Sequence, residues 1–271
     1  MSEDSSKNTQ LAVSNRVKKL FSWRRPTPAK RSLGSPWLII TNVLAIFIIS
    51  QLIAAIIVGI GLTVVHGHAS GLDQLPVAQF FYVLIAEGLA AFLTIWIVKT
   101  KKLPLSVIGL GRRPVLGDLW KALAGFFTFY VLLTIVGFMI DGLAPSVDKG
   151  NQNVGFNSLN GSVDIVLAFV ALVILPPIGE EILVRGYLYS GLRQKFKFVP
   201  AMVLTSLIFG AAHLETGATA SLLWSAGIDT FVLSLVLVYL RENTGALYAG
   251  MLVHALNNLV AFSVHFHGII F

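Results

Sequence analysis

Glu180, Glu181 and Arg185 stand together in an apolar stretch of this chain, and His213, His254 and Asn258 stand in two later apolar stretches. Ionisable groups in such stretches are expensive to keep, and each is by default a functional candidate. Two carboxylates, two imidazoles, a carboxamide and a guanidinium can together bind a water, take its proton and hold an oxyanion. On a helix, Glu181 and Arg185 lie four apart and can pair on one face, while Glu180 points about 100° away and is left free to act as a general base. His254 and Asn258 are also four apart and can project together as donors toward a developing negative charge. The sequence contains no cysteine, which excludes a cysteine nucleophile, thiolate metal ligands and disulfides.

The remaining polar groups read differently. Glu87 and Asp229 are expected to be interhelical hydrogen-bonding groups rather than catalytic ones. His66 with His68 and His265 with His267 fall near span ends and read as interfacial histidines before they read as a metal site. Gly109-Leu110-Gly111 lacks the strand-to-helix setting of a dinucleotide fingerprint and is a turn. No cofactor is expected. Zinc held by His213, His254 and a glutamate is the weaker alternative, since the His-Glu-x-x-His helix of zinc peptidases is absent.

The elements that must position these groups are membrane helices. Of the 271 residues, 55% are hydrophobic and 12% charged, against roughly 25% charged in ordinary soluble domains. Apolar runs at about 37–65, 77–98, 116–141, 163–190, 198–213, 220–240 and 245–267 are too long and too continuous for barrel strands. The expected fold is an all-α transmembrane bundle of seven helices, or eight if Pro176 and Pro177 divide the fourth. Residues 1–36 form a polar, basic tail and 37–271 the membrane domain. Lys99, Lys101, Lys102, Arg112, Arg113, Arg193, Lys195, Lys197 and Arg241 all fall in loops on one side. By the positive-inside rule that side and the amino terminus are cytosolic, in a protein expected in the cell membrane. The net charge of +7 therefore belongs to topology, and no nucleic-acid groove is indicated.

Counting from those basic markers, Glu180 and His254 lie roughly 20 Å deep, His213 roughly 24 Å and Asn258 near 26 Å at ~1.5 Å per residue. The candidates share one layer.

Three motifs in this order resemble the CAAX prenyl protease and bacteriocin-processing family of intramembrane glutamic endopeptidases, also called the Abi family. Glu180-Glu181-Ile182-Leu183-Val184-Arg185 looks like its Glu-Glu-x-x-x-Arg, Phe209 to His213 like Phe-x-x-x-His, and His254 to Asn258 like His-x-x-x-Asn. The resemblance covers about 164–262, including Pro176 and Thr244-Gly245-Ala246-Leu247, and departs at Val184, where many members have Phe. It implies that Glu180 and His213 activate water, that His254 and Asn258 stabilise the oxyanion, and that Glu181 and Arg185 support the site. Phe209 needs no role beyond packing.

The implied activity is hydrolysis of a peptide bond in a membrane-associated or prenylated protein or peptide, with the bilayer as the other partner. The alternatives are a zinc protease, a non-catalytic bacteriocin-immunity or scaffold protein of the same fold, and a proton-coupled transporter. The last is disfavoured because no repeated half is evident. Substrate and oligomeric state are not legible.

Overall fold

A computed structural model describes residues 32–66, 75–143, 155–156, 159–216 and 222–267. Residues 1–31 of the basic tail and His68 lie outside the described residues, as does the side chain of His66. Seven helices run through the described residues: α1 Pro36–His66, α2 Pro76–Thr100, α3 Leu116–Leu143, α4 Ser162–Arg193, α5 Phe198–Ala211, α6 Trp224–Thr244 and α7 Tyr248–His265. The fold is an all-α membrane bundle. Helices α1, α2, α3, α4 and α6 are long and apolar enough to cross a bilayer, while α5 is a 14-residue apolar helix. His254, Asn257 and Asn258 interrupt the apolar run of α7.

Lipid-facing and protein-facing sides separate clearly on α1. Ile39, Val43, Ile46, Ser50, Ala54, Val58 and Leu62 are buried at helical spacing, whereas Leu44, Phe47, Ile48, Leu52, Ile56 and Ile60 are exposed. An apolar exterior of this kind suits hydrocarbon, not water. On α2 the buried stripe is Ala78, Ala86, Ala90, Thr94 and Val98, small residues that let membrane helices approach closely.

Pro176 and Pro177 do not divide α4. The helix continues through them by widening into π-helix at Val170–Ile174 and again at Glu181–Tyr189. In the first wide turn the Leu175 amide donates to the Val170 carbonyl, five residues back. Such turns admit one extra residue per hydrogen-bonded ring, which is how a helix absorbs missing donors.

Three expected boundaries move. The sixth span starts at Trp224, not 220, because Leu222–Leu223 pairs antiparallel with Glu215–Thr216 as a two-residue hairpin (β1 and β2). It runs on to Thr244 because its polar end is bonded: Arg241 donates to the Val107 carbonyl (3.0 Å) and Ser190 Oγ (3.1 Å), and Glu242 accepts from Arg193 (3.0 Å) and Tyr189 (2.5 Å). The seventh begins at Tyr248 because Gly245 adopts a left-handed φ of 68°, a conformation glycine reaches without steric cost. The Ala246 amide donates to Thr244 Oγ1 (3.1 Å), and the Leu247 amide donates to the Gly109 carbonyl (3.2 Å). This turn fixes where α7, and with it His254, begins.

Candidate active site in the membrane bundle

The wide turn of α4 presents Glu181 and Arg185 to the interior, where both side chains are at most 1% exposed. Arg185 Nη1 donates to Glu181 Oε1 at 2.8 Å. The same oxygen accepts from His254 Nδ1 at 3.3 Å, so one carboxylate oxygen ties α4 to itself and to α7. Gly250 makes room for this: a Cβ there would stand 3.1 Å from Glu181 Oε2. Gly250, His254 and Asn258 are spaced by four and form one stripe of α7 turned toward α4.

Glu180 is not directed away from this cluster as an isolated ideal helix suggests. Its Oε2 lies 3.8 Å from His254 Nε2, so the imidazole sits between the two adjacent carboxylates, one at each ring nitrogen. At 3.8 Å the contact is too long for a hydrogen bond, and Glu180 Oε2 is a buried oxygen without a hydrogen-bond partner among the described residues. Glu180 is also the more open of the pair, with its side chain 23% exposed against 1% for Glu181. Among the described residues, His254 carries the imidazole within 4 Å of Glu180.

His213 lies just beyond the end of α5, where the hydrogen bonding tightens and its amide donates to the Gly210 carbonyl (3.1 Å). Its Nδ1 is 2.9 Å from the Phe209 carbonyl. A carbonyl only accepts, so Nδ1 carries the proton and, in the neutral ring, Nε2 keeps a free lone pair.

Phe209 has a larger part than packing alone suggested. Its ring lies 4.1 Å from the Arg185 guanidinium carbon, 4.6 Å from the His213 ring and 6.3 Å from the His254 ring. It covers the buried cation with a π face and separates the two imidazoles. The spacing Phe-x-x-x-His puts that cover and His213 on one side of α5.

Asn258 donates through Nδ2 to the Leu172 carbonyl at 2.9 Å. In an α-helix that carbonyl would accept from residue 176, and in a π-helix from residue 177, but both are proline and have no N–H. Asn258 thus satisfies a carbonyl that the two prolines orphan, and its second N–H remains for another acceptor. Six of six predicted site residues therefore sit around the α4, α5 and α7 contact, with His213 reaching the others through Phe209 and Asn258 reaching α4 through Leu172.

Two further residues belong to the surroundings. Gly250 escaped sequence reasoning, although a glycine one turn before His254 in a membrane helix was a readable signal. Glu87, assigned to interhelical bonding, lies against Gly179, where a Cβ would fall 2.2 Å from Glu87 Oε2 and 3.0 Å from its backbone oxygen. Asp229 is exposed on α6, and Tyr130 donates to Asn257 Oδ1 nearby on α7 (3.3 Å). His265 packs edge-on against Phe266 (4.7 Å). Among the described residues, no three His, Cys, Asp or Glu side chains are grouped to hold a metal.

Residues 162–260 match the family model described as type II CAAX prenyl endopeptidase Rce1-like, and all three motifs fall inside that match. This part of the chain is similar to the CAAX prenyl protease and bacteriocin-processing family. It is also 27% identical over 190 residues to a Bacillus subtilis (strain 168) protein named "Putative membrane peptidase YdiL", covering 66% of this chain and 71% of that one. No solved structure matches. Helices α1 to α3 lie outside the CAAX protease family match. Through Glu87, α2 nonetheless reaches the helix that carries Glu180.

Proposed function

We propose that this protein is an intramembrane endopeptidase of the glutamic type, cutting a membrane-associated or prenylated protein or peptide with a water activated by Glu180. The observation that carries the reading is the seating of His254 between Glu180 and Glu181, with Arg185 behind Glu181. A purely structural ion pair has no need for a second, more open carboxylate facing the same imidazole.

In this reading the substrate carbonyl enters beside Glu180. A water held by Glu180 and the free Nε2 of His213 loses a proton to Glu180 as its oxygen bonds to the carbonyl carbon. The negative charge that forms on the carbonyl oxygen is met by the second N–H of Asn258 and by Nε2–H of His254, which for this role carries a proton on each ring nitrogen, Nδ1–H being given to Glu181. Collapse breaks the C–N bond, and Glu180 returns the proton to the departing amine. The products are a carboxylic acid and an amine, without an acyl-enzyme.

Glu181 and Arg185 act on His254. The Glu181 carboxylate accepts from Nδ1–H and so turns Nε2 toward the reaction. The basic loops and the amino terminus face the cytosol of the cell membrane. The chemistry requires no cofactor.

Incubating the detergent-purified protein with a diverse peptide library, with mass-spectrometric readout and with and without chelator, tests the reading. Chelator-resistant cleavage is expected. Cleavage abolished by chelation and restored by zinc would transfer the site to metal chemistry.

A further inference from the structure

Glu87 is a half-buried carboxylic acid beside a helix stripe whose buried members are alanine, threonine and valine. If α2 needed only to pack on α4, another small residue would do so without the cost of a polar group in the membrane interior. Its neighbour is instructive. Gly179, the residue before Glu180, lets the Glu87 carboxyl and backbone come so close that a Cβ at 179 would overlap Glu87 Oε2 at 2.2 Å. The carboxyl is thereby held one residue from the proposed base, and the Glu87 and Glu180 charges interact.

We infer that Glu87 is a positioning residue for the same hydrolysis, its carboxyl packed on Gly179 so as to set the orientation and charge of Glu180. The inference rests on the peptidase reading. The groups facing Glu87 are Glu180 on α4, with Glu181 and Arg185 beyond it, and Tyr82 on its own helix, which interacts with Glu87 and donates to Gln51 of α1. Among the described residues no Lys, Arg or His lies in ion-pair range of Glu87. Two carboxyls meeting in a low-dielectric site resist double ionisation and hold one proton between them. The Glu87 carboxyl packed on Gly179 therefore bears on Glu180, the group that takes a proton from water. Glu87 gains and loses none over the cycle.

The experiment compares wild type, Glu87→Gln, Glu87→Asp and Glu180→Gln by kcat, KM and thermal unfolding, and by the infrared C=O stretch of a protonated carboxyl, which needs no substrate. Expected for Glu87→Gln are a loss of the protonated-carboxyl band, a fall in kcat of about tenfold or more, and an unchanged KM and unfolding temperature. Glu87→Asp, which keeps the carboxyl, recovers part of kcat. Wild-type kcat and an unchanged band in a folded Glu87→Gln overturn the inference, and so does unfolding of both Glu87 variants, which makes the residue a packing element. Wild-type turnover in Glu180→Gln instead overturns the peptidase mechanism on which the inference stands.

Discussion

Glu181 Oε1 lies 3.3 Å from His254 Nδ1 while accepting from Arg185 at 2.8 Å, all three groups being buried. The acid beside the proposed base is thus the support of the imidazole, and the cation is the support of the acid. Removing Arg185 leaves Glu181 as an uncompensated buried charge. Arg185→Ala should therefore lose about 3–5 kcal/mol of stability, read as a lower unfolding temperature in detergent. The double variant Glu181→Leu with Arg185→Leu should regain much of that stability, since a buried ion pair can be replaced by apolar residues. It should regain no turnover, because His254 is left unoriented. Recovery of turnover in the double variant would contradict the assigned support role.

Gly250 predicts a steric effect on the same carboxylate. In Gly250→Ala the new methyl meets Glu181 Oε2 at 3.1 Å, so α7 or the carboxylate has to give way. The expected cost is about 1–3 kcal/mol, with a fall in kcat larger than the change in KM. Unchanged kinetics and unfolding would show that the interhelical gap is wider than the structure places it.

Asn258 and the prolines form a coupled pair that a double-mutant cycle can read. Asn258→Ala withdraws the donor from the Leu172 carbonyl and should cost about 1–3 kcal/mol. Pro176→Ala restores an N–H to α4, so in that background the same change should cost less. Additive effects on unfolding would dissociate Asn258 from the proline break.

The absence of cysteine makes topology directly measurable. With single-cysteine variants at Lys101 and Leu75, a membrane-impermeant maleimide added to intact cells should label Leu75→Cys and spare Lys101→Cys. The opposite pattern would invert the orientation.

Much of the fold was readable because its signals are local. Apolar length marks the helices, and Glu180, Glu181, Arg185, His213, His254 and Asn258 stand out against apolar surroundings. What the sequence hid depends on helix geometry and on cross-helix distance. An ideal helix turns Glu180 away from Glu181, whereas the structure has both reach His254, because Glu181 opens a wide π turn. The prolines looked able to divide α4, but a carboxamide 86 residues away caps the carbonyl they expose. The start of α6 moved because Leu222 and Leu223, apolar enough for a span, pair with 215–216 instead. Phe209 looked like packing because a cation–π contact to Arg185 leaves no trace in spacing.

Glu180 carries the central claim, and its isosteric replacement tests it most directly. Turnover of a cleaved peptide by wild type and by Glu180→Gln, matched for unfolding temperature and without added metal, should differ by at least about a thousandfold. Turnover of Glu180→Gln within a few-fold of wild type would contradict the account, since no other group could then be named as the base that takes the proton from water.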